Sequence, residues 1–146
     1  MCGPARHRLG SARRRRTNVR IIGGQYRSRS LRSLPGSELR PTSDRLRETL
    51  FDVLTAGNPL RSAASVWLDI YAGTGAVGIE ALSRGACMVY FVEENQKAAA
   101  LIRKNLNSLA VDAESFEIVE RDALAALRRL DSQAIACDFC FLDPPY

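Results

Sequence analysis

Four carboxylates stand at or near the ends of four apolar runs. Asp69 follows Val66-Trp67-Leu68, Glu93 follows Cys87–Val92, Asp122 follows Phe116–Val119, and Asp143 follows Cys137–Leu142. If the runs are parallel strands, the four acids gather along one sheet edge, where ligands of open α/β sheets bind. A carboxylate there can meet a cationic amine or take two hydroxyl hydrogen bonds at once. Each acid alone is most often a polar strand end. Four in series, beside the glycines at 73, 75 and 78, are a stronger signal.

The elements that must position these groups are legible. Val66–Ile70 ends in Tyr71-Ala72-Gly73-Thr74-Gly75-Ala76-Val77-Gly78 and opens into Ile79-Glu80-Ala81-Leu82, the order strand, tight turn, helix. Gly73, Gly75 and Gly78 satisfy G-x-G-x-x-G, with Glu93 as the later acid, so a dinucleotide site is the first reading. A tight turn without ligand competes with it. Asp69, four residues before Gly73, suits a cationic amino-acid moiety, and Asp143-Pro144-Pro145-Tyr146 ends a later strand. Together they favour a different nucleotide-like ligand. Glu93 has the reach for both hydroxyls of a ribose, and Asp122 suits the exocyclic amine of an adenine.

The remaining pattern continues the α/β alternation. Helices are expected at 76–84, 95–109 and 123–130, with strands at 87–92, 116–119 and 137–142. Ahead of this body, residues 20–31 read as a β-hairpin with Gly23-Gly24 near its turn, Arg27 and Arg29 on one face and Tyr26 on the other. Leu39-Arg40-Pro41-Thr42 follows as an extended segment. A helix then runs from Ser43 to about Ala56, capped by Thr42 or Ser43, with Leu46, Leu50, Val53 and Leu54 on its apolar face. Residues 1–19 read as a disordered basic tail. Their arginine-rich, acid-free character equally suits an organellar transit peptide, and a start near Val19 is the third reading.

Charge divides the chain. The first 48 residues carry 13 Arg against Glu38, Asp44 and Glu48, while the remainder is net acidic, leaving +5 overall. A basic arm joined to an acidic body suggests polyanion contact by the arm and small-molecule binding by the body. For Arg13–Arg16 alone, a solvated tail is the better reading. Arg20, Arg27, Arg29 and Arg32 on the ribbon suit phosphate contact. No apolar run reaches the roughly 18 residues of a membrane span.

Cys2, Cys87, Cys137 and Cys140 make no disulfide scaffold in 146 residues, so a reduced, cytoplasmic setting is expected. Cys137 and Cys140 match C-x-x-C, but residues three apart on a strand face opposite ways. Both are expected in the core, with no metal site. His7, the only histidine, lies in the tail and is given no catalytic role.

The loop Asp69-x-x-x-Gly73-x-Gly75 with Asp143-Pro144-Pro145-Tyr146 resembles class I S-adenosylmethionine-dependent methyltransferases that modify exocyclic amines. Arg20-Ile21-Ile22-Gly23-Gly24, Leu39-Arg40-Pro41-Thr42, Asp44-Arg45-x-Arg47-Glu48-Thr49-Leu50-Phe51 and Glu80–Gly85 resemble, more closely, the RsmD family of 16S ribosomal RNA guanine-N2 methyltransferases. The resemblance spans residues 20–146. It implies a Rossmann-like parallel sheet of strand order 3-2-1-4 in the body (61–146), behind a hairpin and helix extension (20–60). It implies S-adenosylmethionine held by Asp69, Gly73, Gly75, Glu93 and Asp122. Asp143 and the Pro144 carbonyl would accept from the target amine, Pro145 would complete the motif, and Tyr146 would stack on guanine. Ribosomal RNA or a small-subunit assembly particle would be the partner.

Members of that family continue beyond this motif, so the chain reads as incomplete at its C-terminus. Its fourth strand is expected at an exposed edge, making the chain association-prone where a complete one would be monomeric. Two rival readings stay open: an adenine-N6 or cytosine-N4 nucleic-acid methyltransferase, and an inactive fragment that binds RNA or cofactor.

Overall fold

The structure, a computed structural model, describes residues 19–34, 42–58 and 63–145. The expected basic tail up to residue 18, the Leu39-Arg40-Pro41 segment and Tyr146 lie outside the described residues. Four strands, β3 (Val66–Ile70), β4 (Met88–Val92), β5 (Phe116–Val119) and β6 (Phe139–Leu142), form one parallel sheet of order β5-β4-β3-β6. This is the expected 3-2-1-4 order. Ile70 sits opposite both Val92 and Leu142, and Val92 opposite Val119, so the strands end in register.

Helices cover both faces because both faces of a parallel sheet are apolar. One face carries α2 (Ala76–Ser83) and α3 (Gln96–Ser108) over Trp67, Val89 and Phe91. The opposite face is covered by α4 (Ala123–Ser132), which buries Ala126 and Leu130 against Leu68, Tyr90 and Val119. Asn95 caps α3 by accepting from Lys97 and Ala98 N–H, and Asp122 caps α4 by accepting from Ala125 N–H.

The N-terminal extension packs on the α2 and α3 side. Its paired strands are short: β1 (Val19–Arg20) and β2 (Ser30–Leu31) run antiparallel, with turns between them. Gly23-Gly24 leads into the turn as expected, the Gly24 carbonyl accepting from Arg27 N–H at 3.2 Å. It lies along α2, where Glu80 accepts from Ile22 N–H and Gly23 N–H at 2.8 Å each. Ser83 accepts from Tyr26 N–H and donates to the Gly23 carbonyl. Gly24 adopts φ +76°, and a Cβ there would run into the Ser83 carbonyl. Only glycine fits that contact.

Helix α1 (Asp44–Leu54), capped by Ser43, corrects the expected apolar face. Phe51 and Arg47 are buried, Leu50 and Leu54 pack partly, and Leu46 and Val53 are 55% and 67% exposed. Apolar residues occur on more than one side of this helix, so periodicity alone does not choose among them. Aromatic stacking does: Phe51 lies 5.2 Å from Trp67, which lies 4.6 Å from Phe139 of β6. That run ties the extension to the strand carrying Asp143.

The cysteine expectation also fails. Cys137 and Cys140 are exposed, as is Cys87. Side chains alternate along β6, so Phe139 and Phe141 enter the α2 and α3 side while Cys140 and Leu142 face the other way. There α4 covers Leu68 and Tyr90 and leaves Cys140 and Leu142 open. Among the described residues, β6 is an edge strand.

Candidate functional site

In-register strand ends bring the acids together. β4 stops at Val92 and β6 at Leu142, so Glu93 and Asp143 emerge side by side with the β3 end, where Asp69 sits one residue from the last. A cleft of about 170 Å³ opens there, lined by Asp69, Gly73, Glu93, Asp143 and Pro145, with Ala72, Ala76, Val77 and Phe141 as its apolar surface. Asp122 does not join them. β5 stops at Val119, three residues earlier, and the Asp122 carboxylate caps α4 instead. Pro144 is exposed and is not part of the cleft lining.

The glycine loop is held by the end of β4. Ala72 N–H donates to the Val92 carbonyl at 3.0 Å, and Gly73 N–H to Glu93 Oε2 at 2.8 Å. Glu93 Oε1 accepts from Asn95 N–H. Glu93 therefore shapes the loop as well as lining the cleft, and each of its oxygens keeps a lone pair for a ligand. Gly75, at φ +77°, starts α2 in the left-handed region that glycine enters without strain. Gly78 serves packing: its N–H donates to Asp69 Oδ2 at 3.0 Å, and a Cβ would strike the Phe91 ring.

Asp69 is 2% exposed. Burial raises its pKa from 3.8 to about 7; the Gly78 hydrogen bond opposes this, and the charges of Glu93 and Asp143 add to it. Among the described residues, this carboxyl has lost water without gaining a cation. A ligand bearing a positive amine and hydroxyls would satisfy it and Glu93, and the apolar wall would accept a flat ring. The donor set thus fits S-adenosylmethionine.

Two cleft residues escape sequence reasoning. Tyr71, 37% exposed, lies at the β3 end with φ +63°, which nothing in the local sequence signals. Thr42 reaches the cleft from the extension, because Ser43 caps α1 and Phe51 anchors it on Trp67. The arginines take different roles. Arg20, Arg27, Arg29 and Arg32 are all exposed, but Arg29 Nη2 donates to the Ser108 carbonyl at 3.0 Å and Arg27 lies in the turns, not on a strand. Arg47, fully buried, donates to the Arg20 carbonyl and to Asp44.

Comparisons with known proteins agree with this architecture. The family model described as conserved hypothetical protein 95 matches residues 19–146. The ribosomal RNA small subunit methyltransferase D of Haemophilus influenzae is 41% identical over 128 residues, covering 88% of this chain and 64% of its own length. The chain thus spans just under two thirds of that relative. The solved structure of a hypothetical protein from Thermus thermophilus superposes with TM-score 0.76 at 33% identity, over 88% of this chain and 70% of that one. A more distant match, the SAM-dependent methyltransferase from Agrobacterium tumefaciens (TM-score 0.54, 23% identity, 68% and 30% coverage), shows the shared fold. On sequence, sheet order and loop geometry together, the chain belongs to the conserved hypothetical protein 95 family, the RsmD-type S-adenosylmethionine-dependent methyltransferases.

Proposed function

We propose that this chain carries the machinery to methylate the exocyclic N2 amine of a guanine in small-subunit ribosomal RNA. The observation that carries the reading is the meeting of Asp143 and Pro145 with Asp69, Glu93 and the glycine loop in one cleft. The name of the Haemophilus influenzae relative supports the RNA class. S-adenosylmethionine, when bound, supplies a methyl already activated on a positively charged sulfur.

The residues of the chain then bind and orient. Asp69 and Glu93 would hold the cofactor's cationic and hydroxyl groups, beside the Gly73–Gly75 turn. Asp122 Oδ1 accepts from Ala125 N–H, and its second oxygen would take the adenine amine. The guanine N2 lone pair is delocalised into its ring. Asp143 and the Pro144 carbonyl, accepting its hydrogens, would draw the pair back onto nitrogen; the resemblance gives Tyr146, outside the described residues, the role of stacking on the base. Asp143 is exposed, so the amine proton leaves to water. Positioning supplies most of the acceleration, with effective molarities of about 10⁵ M open to a well-oriented pair.

The test is transfer of tritiated methyl from S-adenosylmethionine to small-subunit ribosomal RNA, followed by nucleoside digestion. N2-methylguanosine is expected. Label in N6-methyladenosine or N4-methylcytidine, or in large-subunit RNA alone, overturns the assignment.

A further inference from the structure

We propose that the RNA-contacting surface is composite: the exposed flank of α3, bearing Lys97 and Lys104, continues the arginine ribbon as one phosphate-binding face. This rests on RNA being the substrate, as proposed above. Lys97 and Lys104 are seven residues apart, two turns and about 10 Å along the same side of α3. Both are exposed.

The main-chain carbonyl of Ser108, four residues beyond Lys104, accepts from Arg29 Nη2 at 3.0 Å. The neighbouring Asn105, fully buried, accepts from Arg32 N–H at 2.8 Å and donates to the Arg32 carbonyl at 3.2 Å. Two positions on α3 therefore fasten the end of the ribbon alongside this flank. Asn105 also donates to the Thr74 carbonyl in the glycine loop, so the face is in fixed relation to the cleft.

Charge composition makes the face suit a polyanion. No acid occurs from Val19 to Leu34 or from Asn95 to Val111. The carboxylate of Glu80, between these segments in the chain, is buried on Ile22, Gly23 and Arg84. Arg103, the third cation of α3, is spent on Glu120 on the opposite flank. Among the described residues, Lys97 and Lys104 have no ion-pair partner within 4.0 Å. Glu94, at the cleft edge, is the nearest exposed acid in sequence to Lys97.

Two exposed cations about 10 Å apart on one helix side, beside the fastened end of the ribbon, can each meet a backbone phosphate. Sequence-independent contact of this kind positions RNA and leaves base choice to the cleft.

The experiment measures affinity for a labelled small-subunit RNA fragment by anisotropy across a potassium chloride series, with the full chain. Lys97→Ala/Lys104→Ala should flatten the log–log salt slope by about 1.4–1.8, at about 0.7–0.9 per lost phosphate contact. Arg128→Ala, on α4 across the sheet, should leave the slope unchanged. Calorimetric affinity for S-adenosylmethionine should be the same in all three. A wild-type slope in the double lysine variant, or an equal fall in Arg128→Ala, overturns the composite face while leaving the RNA reading intact. Wild-type chain that shows no salt-dependent RNA binding removes the RNA reading and this surface with it.

Discussion

Asp69 is the residue whose chemistry is most exposed to test. Its folded pKa, raised to about 7 by burial, exceeds its unfolded value of 3.8. The proton it holds in the fold therefore contributes stability that is fully present below about pH 4 and lost as pH rises through 7. At about 1.4 kcal/mol per pH unit, the effect is on the order of 4 kcal/mol at most. Asp69→Asn should accordingly flatten the pH dependence of stability between pH 4 and 8, read by urea titration at several pH values. A cationic cofactor favours the ionised form, so binding should tighten as pH rises toward 7. Calorimetry in two buffers of different ionisation enthalpy should show proton release, and its absence in Asp69→Asn. Glu93→Ala removes hydrogen bonds to a charged acceptor and should cost about 1.5–3 kcal/mol of cofactor affinity. Unchanged affinity would take Glu93 out of the cofactor site.

Among the elements, α2 is the strut between the cleft and the extension. Its first turn leaves the glycine loop and its last turn grips Ile22, Gly23 and Tyr26 through Glu80 and Ser83. Glu80→Gln should cost about 1–3 kcal/mol by leaving buried donors poorly paired. It should also speed hydrogen exchange at the Ile22 and Gly23 amides selectively; uniform acceleration would mean general destabilisation instead. Phe51→Ala empties the space beside Trp67 and should cost about 3–5 kcal/mol in denaturant unfolding. Because Trp67 also stacks on Phe139, that variant should loosen β6 as well as α1.

For the molecule as a whole, a ligand that binds only the folded state stabilises it by mass action. S-adenosylmethionine at about one hundred times its Kd should add about 2.7 kcal/mol, visible as a rise in Tm. NAD at the same concentration should add little, since the Gly73–Gly78 spacing alone does not make a dinucleotide site. An equal rise with NAD would reinstate the dinucleotide reading.

The order of elements and the loop were legible in the chain because hydrophobic period and glycine placement are local signals. The 3-2-1-4 order was implied by the family resemblance, and β3, β4 and β5 lie within a residue of where their apolar runs predict. Asp69, Glu93 and Asp143 could be paired in advance because each directly follows or ends a run. Other features depend on register and packing between distant segments, which no local pattern encodes. Asp122 lies outside the cleft lining because β5 stops three residues short of it, and one of its oxygens caps α4. Cys137 and Cys140 proved exposed because α4 covers Leu68 and Tyr90 but not the outer side of β6. The buried face of α1 was chosen by Trp67, and Thr42 reached the cleft only through that docking. Sequence carried the short-range terms; which side of a helix is buried, and which strand end meets which, is a tertiary free-energy difference summed over residues far apart in the chain.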